Sequence, residues 1–296
     1  MKQILFKGCG TAIATPFKAD TVNISEFKKL IEYQIANKCD SIIVCGTTGE
    51  SATLTTKEKT ELIKCAVETC NKKIPVIVGT GSNNTKSAIE QSILAQKLGA
   101  NGLLVVTPYY NKCTQEGLIQ YYSTIANSVN LPIILYNVPG RTGVNIEPHT
   151  CLELSKISNI VAIKEASGNL SQVAKIANLC KDNLHIYSGN DDQILPILSI
   201  GGIGAISVLS NIYPTVVHNI CYNFFDKNID TARELQLNSI PLINALFEEV
   251  NPIPIKSVLN MLGFDFGLPR SPLTRSKLSF KEKAKIIVAN IVKFMV

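Results

Sequence analysis

The sequence predicts an α/β protein, a (β/α)₈ TIM barrel followed by a C-terminal helical appendage, and three observations carry that prediction. Short apolar, β-rich runs recur eight times along the chain. Stretches long enough for a helix separate most of them, which implies parallel strands joined by right-handed crossovers. After the eighth run the alternation stops and the pattern turns helical. A chain of 296 residues is long enough for one such barrel with an appendage, or for two ordinary domains. Eight runs in regular alternation fit the barrel.

In order, the runs begin near Gly10, Ser41, Ile74, Gly102, Leu131, Ile160, Leu184 and Gly204. The helices between them carry start signals. Asn23-Ile24-Ser25-Glu26 and Thr55-Thr56-Lys57-Glu58 read as capping boxes, in which a short polar side chain and a Glu three residues later satisfy orphan amide groups. From about Thr215 the helical pattern is punctuated by Pro241, by Asn251-Pro252-Ile253-Pro254 and by Gly263 to Pro272. The barrel is therefore drawn over residues 1–224 and the helical domain over residues 225–296.

Composition excludes several classes. Hydrophobic residues make up 46% and charged residues 18%, with no long polar tract, so a packed globular protein is expected. The longest apolar stretches fall short of a membrane span, and nothing near Met1 resembles a cleaved signal, so a cytoplasmic protein without membrane contact is expected. Nine cysteines lie scattered without a CxxC and suit buried small hydrophobes in a reducing compartment. Three dispersed histidines suggest no local zinc motif, and no metal or cofactor is expected. The net charge of +6 comes without a Lys/Arg block or a basic aromatic stripe, which argues against nucleic acid and suits small carboxylates.

In a barrel of this kind the active site lies where the strands end. The run Ile160-Val161-Ala162-Ile163 leads straight into Lys164 and Glu165. Desolvation disfavours an ammonium there, and a lysine held partly neutral can form a Schiff base with a carbonyl. A strand that merely meets water at a lysine is the alternative. Gly46-Thr47-Thr48-Gly49-Glu50 follows another run, offering hydroxyls and amides to a carboxylate, or simply an ordinary turn. Two further runs end at Thr107-Pro108-Tyr109-Tyr110 and at Tyr136-Asn137-Val138-Pro139-Gly140-Arg141-Thr142. A buried phenol can relay protons and Arg141 can fork a carboxylate, although each tyrosine could be packing and Arg141 could pair with Glu147. Gly79-Thr80-Gly81 is not read as a dinucleotide turn, because Asn84 stands where the third glycine belongs. The coincidence of phenols, hydroxyls, a guanidinium and Lys164 at one end of the barrel points to catalysis.

These motifs, with Ser188-Gly189-Asn190-Asp191-Asp192 and Asn251-Pro252-Ile253-Pro254-Ile255-Lys256, closely resemble the dihydrodipicolinate synthase family over almost the whole chain. The resemblance implies condensation of pyruvate with L-aspartate 4-semialdehyde through a Schiff base on Lys164, in the diaminopimelate branch of lysine biosynthesis. It further implies Thr47, Tyr110 and Tyr136 as a proton relay, with Tyr110 reaching into a neighbouring subunit. Thr48 would hold the pyruvate carboxylate, Gly189 and Ile206 would line the pocket by backbone groups, and Arg141 would hold the semialdehyde carboxylate. A homodimer or homotetramer is implied. The rivals are another pyruvate-lysine aldolase, such as N-acetylneuraminate lyase or a ketodeoxygluconate aldolase, a metal-assisted aldolase, and a silent barrel that senses a keto acid.

Relatives inhibited by lysine bind it in a cleft at the dimer interface, and Ser51, Ala52, Asn83 and Tyr109 match that cleft. The pattern departs at two positions, where Lys59 and Ser87 stand in place of a histidine and a glutamate. Weak or absent lysine inhibition is therefore expected.

Overall fold

The computed structural model describes residues 2–277 and Phe280. Eight parallel strands close into a barrel: β1 (Gly8–Ala12), β2 (Ser41–Val44), β3 (Val76–Gly79), β4 (Gly102–Val106), β5 (Ile133–Asn137), β6 (Ile160–Glu165), β7 (His185–Ser188) and β8 (Gly204–Ser207). Each pairs with its sequence neighbours, and β8 pairs with β1. Every strand begins within two residues of its expected start, because the apolar runs mark strands buried on both faces. Ile43, Ile77, Leu104, Ile134 and Ile206 fill the barrel interior, where Phe6 stacks on Tyr187 at 4.4 Å between ring centroids. A second apolar layer lies between the strands and the surrounding helices.

The two expected capping boxes differ. Thr55 and Glu58 form a full box around the helix Thr56–Cys70. At the helix Ile24–Ala36, Asn23 accepts from the Glu26 amide at 3.3 Å, but the return bond is missing. The Asn23 amide donates to Pro16 instead, and the buried Glu26 carboxylate takes Lys29 Nζ at 2.9 Å and the Asp265 amide at 3.0 Å. A tertiary partner from the appendage has replaced the local one.

The helix Pro214–Phe225 packs against β1 and completes the ring. Two helices follow, Ile229–Leu246 and Ile253–Met261. Pro241 does not interrupt the first of these. It cannot donate to the carbonyl four residues back, but that carbonyl belongs to Leu237, which is exposed and open to solvent. The expected helical character beyond residue 280 lies outside the described residues. Among the described residues, no helix is long and apolar enough to cross a membrane. All nine cysteines are unpaired thiols, and all but Cys113 are buried.

The appendage is fastened to the barrel by charge. Lys256 donates to Glu50 Oε1 at 2.7 Å, and each side chain is only 1% exposed. Glu50 Oε2 accepts the Arg270 amide at 2.8 Å, and Lys256 also donates to the Leu268 carbonyl at 3.1 Å. The Phe17 ring lies against both cations, 4.1 Å from Lys256 Nζ and 4.3 Å from the Arg270 guanidinium.

Removing one partner of a buried pair leaves an uncompensated charge. Glu50→Gln is therefore expected to lower the unfolding free energy by ~3–5 kcal/mol in urea titrations. Adding Lys256→Met to that variant should recover more than half of the loss. Equal stability of Glu50→Gln and the parent chain would show that the pair contributes nothing.

Candidate active site

At the ends of β2 and β3 the chain passes unusually close to itself. A Cβ added at Gly79 would stand 2.2 Å from the Cys45 carbonyl oxygen, and one at Gly81 would stand 2.3 Å from the Val106 amide. These glycines serve close backbone crossing, which explains a glycine pair where no dinucleotide turn exists. A cavity of about 450 Å³ opens here, lined by Thr47, Tyr109, Tyr136, Arg141 and Asn251 among others. Ser51, Ala52, Lys59 and Gln91 line it as well.

Lys164 stands near the end of β6 and is 5% exposed. The pairing of β5 with β6 slips by one residue after Ile133, so Tyr136 lies beside Lys164, and on the other side Lys164 pairs with Tyr187. Lys164 Nζ lies 4.4 Å from the Tyr136 ring centroid, and the face of the ring attracts positive charge at that nitrogen. No carboxylate among the described residues forms an ion pair with it. Lys164 is not on the cavity wall itself; Tyr136, which lines the cavity, connects the two.

The next residue faces a different environment. Glu165 is buried, and its carboxylate accepts from Asn137 Nδ2 at 3.0 Å, Gln172 Nε2 at 3.0 Å and the Ser167 amide at 2.7 Å. Asn145 Oδ1 in turn accepts from Asn137 and Gln172. Glu165 therefore ties the end of β5 to the loop and helix after β6. On the other side of Lys164, Gly189 donates its amide to the Glu165 carbonyl at 2.8 Å. Asp191 accepts the Val208 and Leu209 amides at 3.0 and 2.8 Å, joining the ends of β7 and β8. Burial pushes the Asp191 carboxyl up, against the pull of these hydrogen bonds.

Of the expected residues, the chain brings Thr47, Tyr136 and Arg141 to one cavity, with Lys164 directly behind Tyr136 and Gly189 packed against Lys164. Ile206 belongs to the inner cluster that includes Tyr136 and Tyr187. Thr48 is buried, and its Oγ1 accepts from Asn251 Nδ2 at 3.0 Å. Arg141 does not pair with Glu147 in the described structure; its Nη2 donates to the Asn251 carbonyl at 3.3 Å. Tyr110 stands apart from the others, 92% exposed and with a φ of 73°. Cys45 also lines the cavity, but burial pushes its thiol up to about 12, which removes it as a nucleophile near neutral pH.

Sequence reasoning gave no role to Asn251, Glu165 or Asp191. All three sit inside the recognised motifs, yet what each does depends on partners from other elements. Only their short polar or acidic side chains beside strand ends or prolines could have marked them.

A sequence profile of the Dihydrodipicolinate synthetase family matches residues 5–291. The chain is 57% identical to 4-hydroxy-tetrahydrodipicolinate synthase 1 of Clostridium acetobutylicum over 91% of this chain and 92% of that protein. The crystal structure of dihydrodipicolinate synthase from Thermotoga maritima matches with a TM-score of 0.95 at 42% identity, over 97% of this chain and 99% of that one. DHDPS from Cyanidioschyzon merolae, solved with lysine bound, matches with a TM-score of 0.94 at 40% identity, over 97% and 98% of the two chains.

The packing behind Lys164 leaves no room for a methyl group. A Cβ at Gly189 would lie 2.6 Å from the Ala166 Cβ, 3.0 Å from Lys164 Cε and 3.1 Å from the Glu165 carbonyl oxygen. Gly189→Ala is expected to displace Lys164 and cut kcat/KM by about 10²-fold, the scale of a misplacement of about 1 Å. Far-ultraviolet circular dichroism should stay unchanged, and full turnover in this variant would show that Lys164 has space to spare.

Proposed function

The chain belongs to the dihydrodipicolinate synthetase family, and on that premise we propose how its own residues condense pyruvate with L-aspartate 4-semialdehyde. The reaction is that of a Schiff-base-forming lyase of lysine biosynthesis. The observation that carries the assignment of roles is the position of Lys164: nearly buried, without an ion-pair partner among the described residues, and level with Tyr136.

The neutral amine of Lys164 attacks the pyruvate ketone, and loss of water leaves an iminium whose nitrogen draws electrons from the methyl carbon. A methyl proton departs and the resulting enamine attacks the aldehyde carbon. The amine of the second substrate then attacks the imine carbon, closing the ring and freeing Lys164. Tyr136 and Thr47 carry protons within one chain. Tyr110 completes the relay in the site of a second copy, a reading supported by its exposure and by a φ that a tyrosine rarely adopts. The working unit is then at least a homodimer, with a homotetramer of two such dimers as the larger assembly. Thr48 holds the pyruvate carboxylate, with Gly189 and Ile206 presenting backbone groups, and Arg141 holds the semialdehyde carboxylate. Nine thiols outside any disulfide suit work in the cytoplasm. Residues 1–224 form the barrel unit and residues 225–296 the second unit, whose described helices are Ile229–Leu246 and Ile253–Met261.

Borohydride reduction in the presence of pyruvate tests the roles. A reduced adduct should appear on the peptide that carries Lys164, and an adduct on Lys256 or another lysine would sink the assignment.

The same reading covers regulation. Lys59 lines the cavity beside Ser51, Ala52 and Tyr109, and its Nζ donates to Gln91 Oε1 at 2.8 Å. Burial lowers the pKa of this ammonium from its ordinary value. Ser87 brings no carboxylate; its amide donates to Asn84 Oδ1 at the start of the helix Thr85–Lys97. A bound lysine would meet Lys59 and lack an acidic partner at Ser87. Like charges in contact cost several kcal/mol, and about 1.4 kcal/mol is tenfold in affinity. Initial rates at neutral pH should therefore stay nearly flat as lysine is raised to millimolar levels, and strong saturable inhibition would contradict this role for Lys59 and Ser87.

A further inference from the structure

We propose that Asn251, a residue of the appendage, is a positioning residue that sets the hydrogen-bond polarity of Thr48 through its side chain and the reach of Arg141 through its carbonyl. The proposal rests on the reading of Thr48 and Arg141 as the two carboxylate holders.

A threonine hydroxyl has one proton and two acceptor lone pairs. Asn251 Nδ2 donates to Thr48 Oγ1 at 3.0 Å, in a fully buried contact. With a lone pair engaged in this way, the Thr48 proton is left to donate elsewhere, which is what a carboxylate requires. The reverse orientation of the amide would turn Asn251 Oδ1 on Thr48 and consume that proton. Without the amide, the hydroxyl would rotate to a nearby backbone carbonyl, as buried threonines commonly do.

Asn251 Oδ1 itself is buried and has no partner among the described residues. Such an atom is costly to leave unpaired and calls for an explanation. Holding Nδ2 on Thr48 supplies one. The backbone oxygen of the same residue accepts from Arg141 Nη2 at 3.3 Å. One tether restrains a long, partly exposed side chain and leaves its other N–H groups free for a carboxylate. One residue thus sets both holders, the first through its side chain and the second through its backbone.

This division of labour gives the test. Steady-state kinetics on the full chain, varying each substrate, compare Asn251→Ala, Thr48→Val and the double variant. Asn251→Ala should raise the KM for pyruvate about 10- to 100-fold, the scale of one hydrogen bond to a charged group. The KM for the semialdehyde should move by less than about twofold, because the Asn251 carbonyl remains. In the Thr48→Val background, Asn251→Ala should add less than about twofold to the pyruvate KM. Penalties that multiply in full would overturn the proposal, as would a normal pyruvate KM in Asn251→Ala. Thr48→Val alone separates the two layers. If it leaves the pyruvate KM unchanged, the carboxylate reading of Thr48 fails and the proposal goes with it; if only Asn251→Ala is silent, Asn251 alone loses its role. Should the alanine variant fail to fold, Asn251→Asp keeps the shape. Its carboxylate takes the Thr48 proton and repels the substrate, so an unchanged pyruvate KM there would also overturn the proposal.

Discussion

The ion pair between Glu50 and Lys256 is the constraint on which this end of the molecule depends. Two opposite charges 2.7 Å apart, each 1% exposed, cannot be separated without leaving a bare charge in apolar surroundings. Burial pushes Lys256 down to about 8 and Glu50 opposes that shift, so near neutral pH Lys256 keeps most of its charge. Glu50 ends the turn that carries Thr47 and Thr48, and Lys256 lies in the helix that follows Asn251. The turn and the appendage are therefore tied together at this point. The contact of Asn251 with Thr48 and the tether on Arg141 both follow from that attachment.

Within the barrel, a one-residue slip in strand pairing performs a comparable service. Unbroken pairing from Ile133 with Ile160 would set Lys164 opposite Asn137. The observed shift sets it opposite Tyr136 and leaves Glu165 opposite Asn137. Because strand side chains alternate between faces, a single shift sorts the two residues. Lys164 turns to the Tyr136 ring, whereas Glu165 turns to a buried amide network that holds the strand in place. The aromatic contact and the amide network are made by adjacent residues on opposite faces of one strand.

The surroundings of the cavity also discriminate among nucleophiles. Cys45 and Lys164 both stand at this end of the barrel, but only Cys45 lines the cavity. A thiol must ionise to react, and desolvation holds Cys45 in its protonated form. Burial thus silences the one thiol among the described residues that lines the cavity.

The sequence by itself determined the barrel and the start of each strand to within two residues, and it placed Lys164 and Tyr136 near strand ends. Those features follow from forces acting between near neighbours: apolar runs that must be buried, caps that satisfy the first amides of a helix, and glycines that allow close turns. Even there, local logic failed where a distant partner won. Glu26 left its box for Asp265, and Pro241 stayed within a helix because the carbonyl it orphans belongs to exposed Leu237. Only the tertiary structure decided that Lys164 faces Tyr136, that Tyr110 stands apart from the other site residues of its own chain, and that Asn251 bridges Thr48 and Arg141. Asn251 and Thr48 are 203 positions apart. No periodicity or short motif carries information over that distance, because such a contact is created only when the closed barrel and the appendage bury their charges against each other.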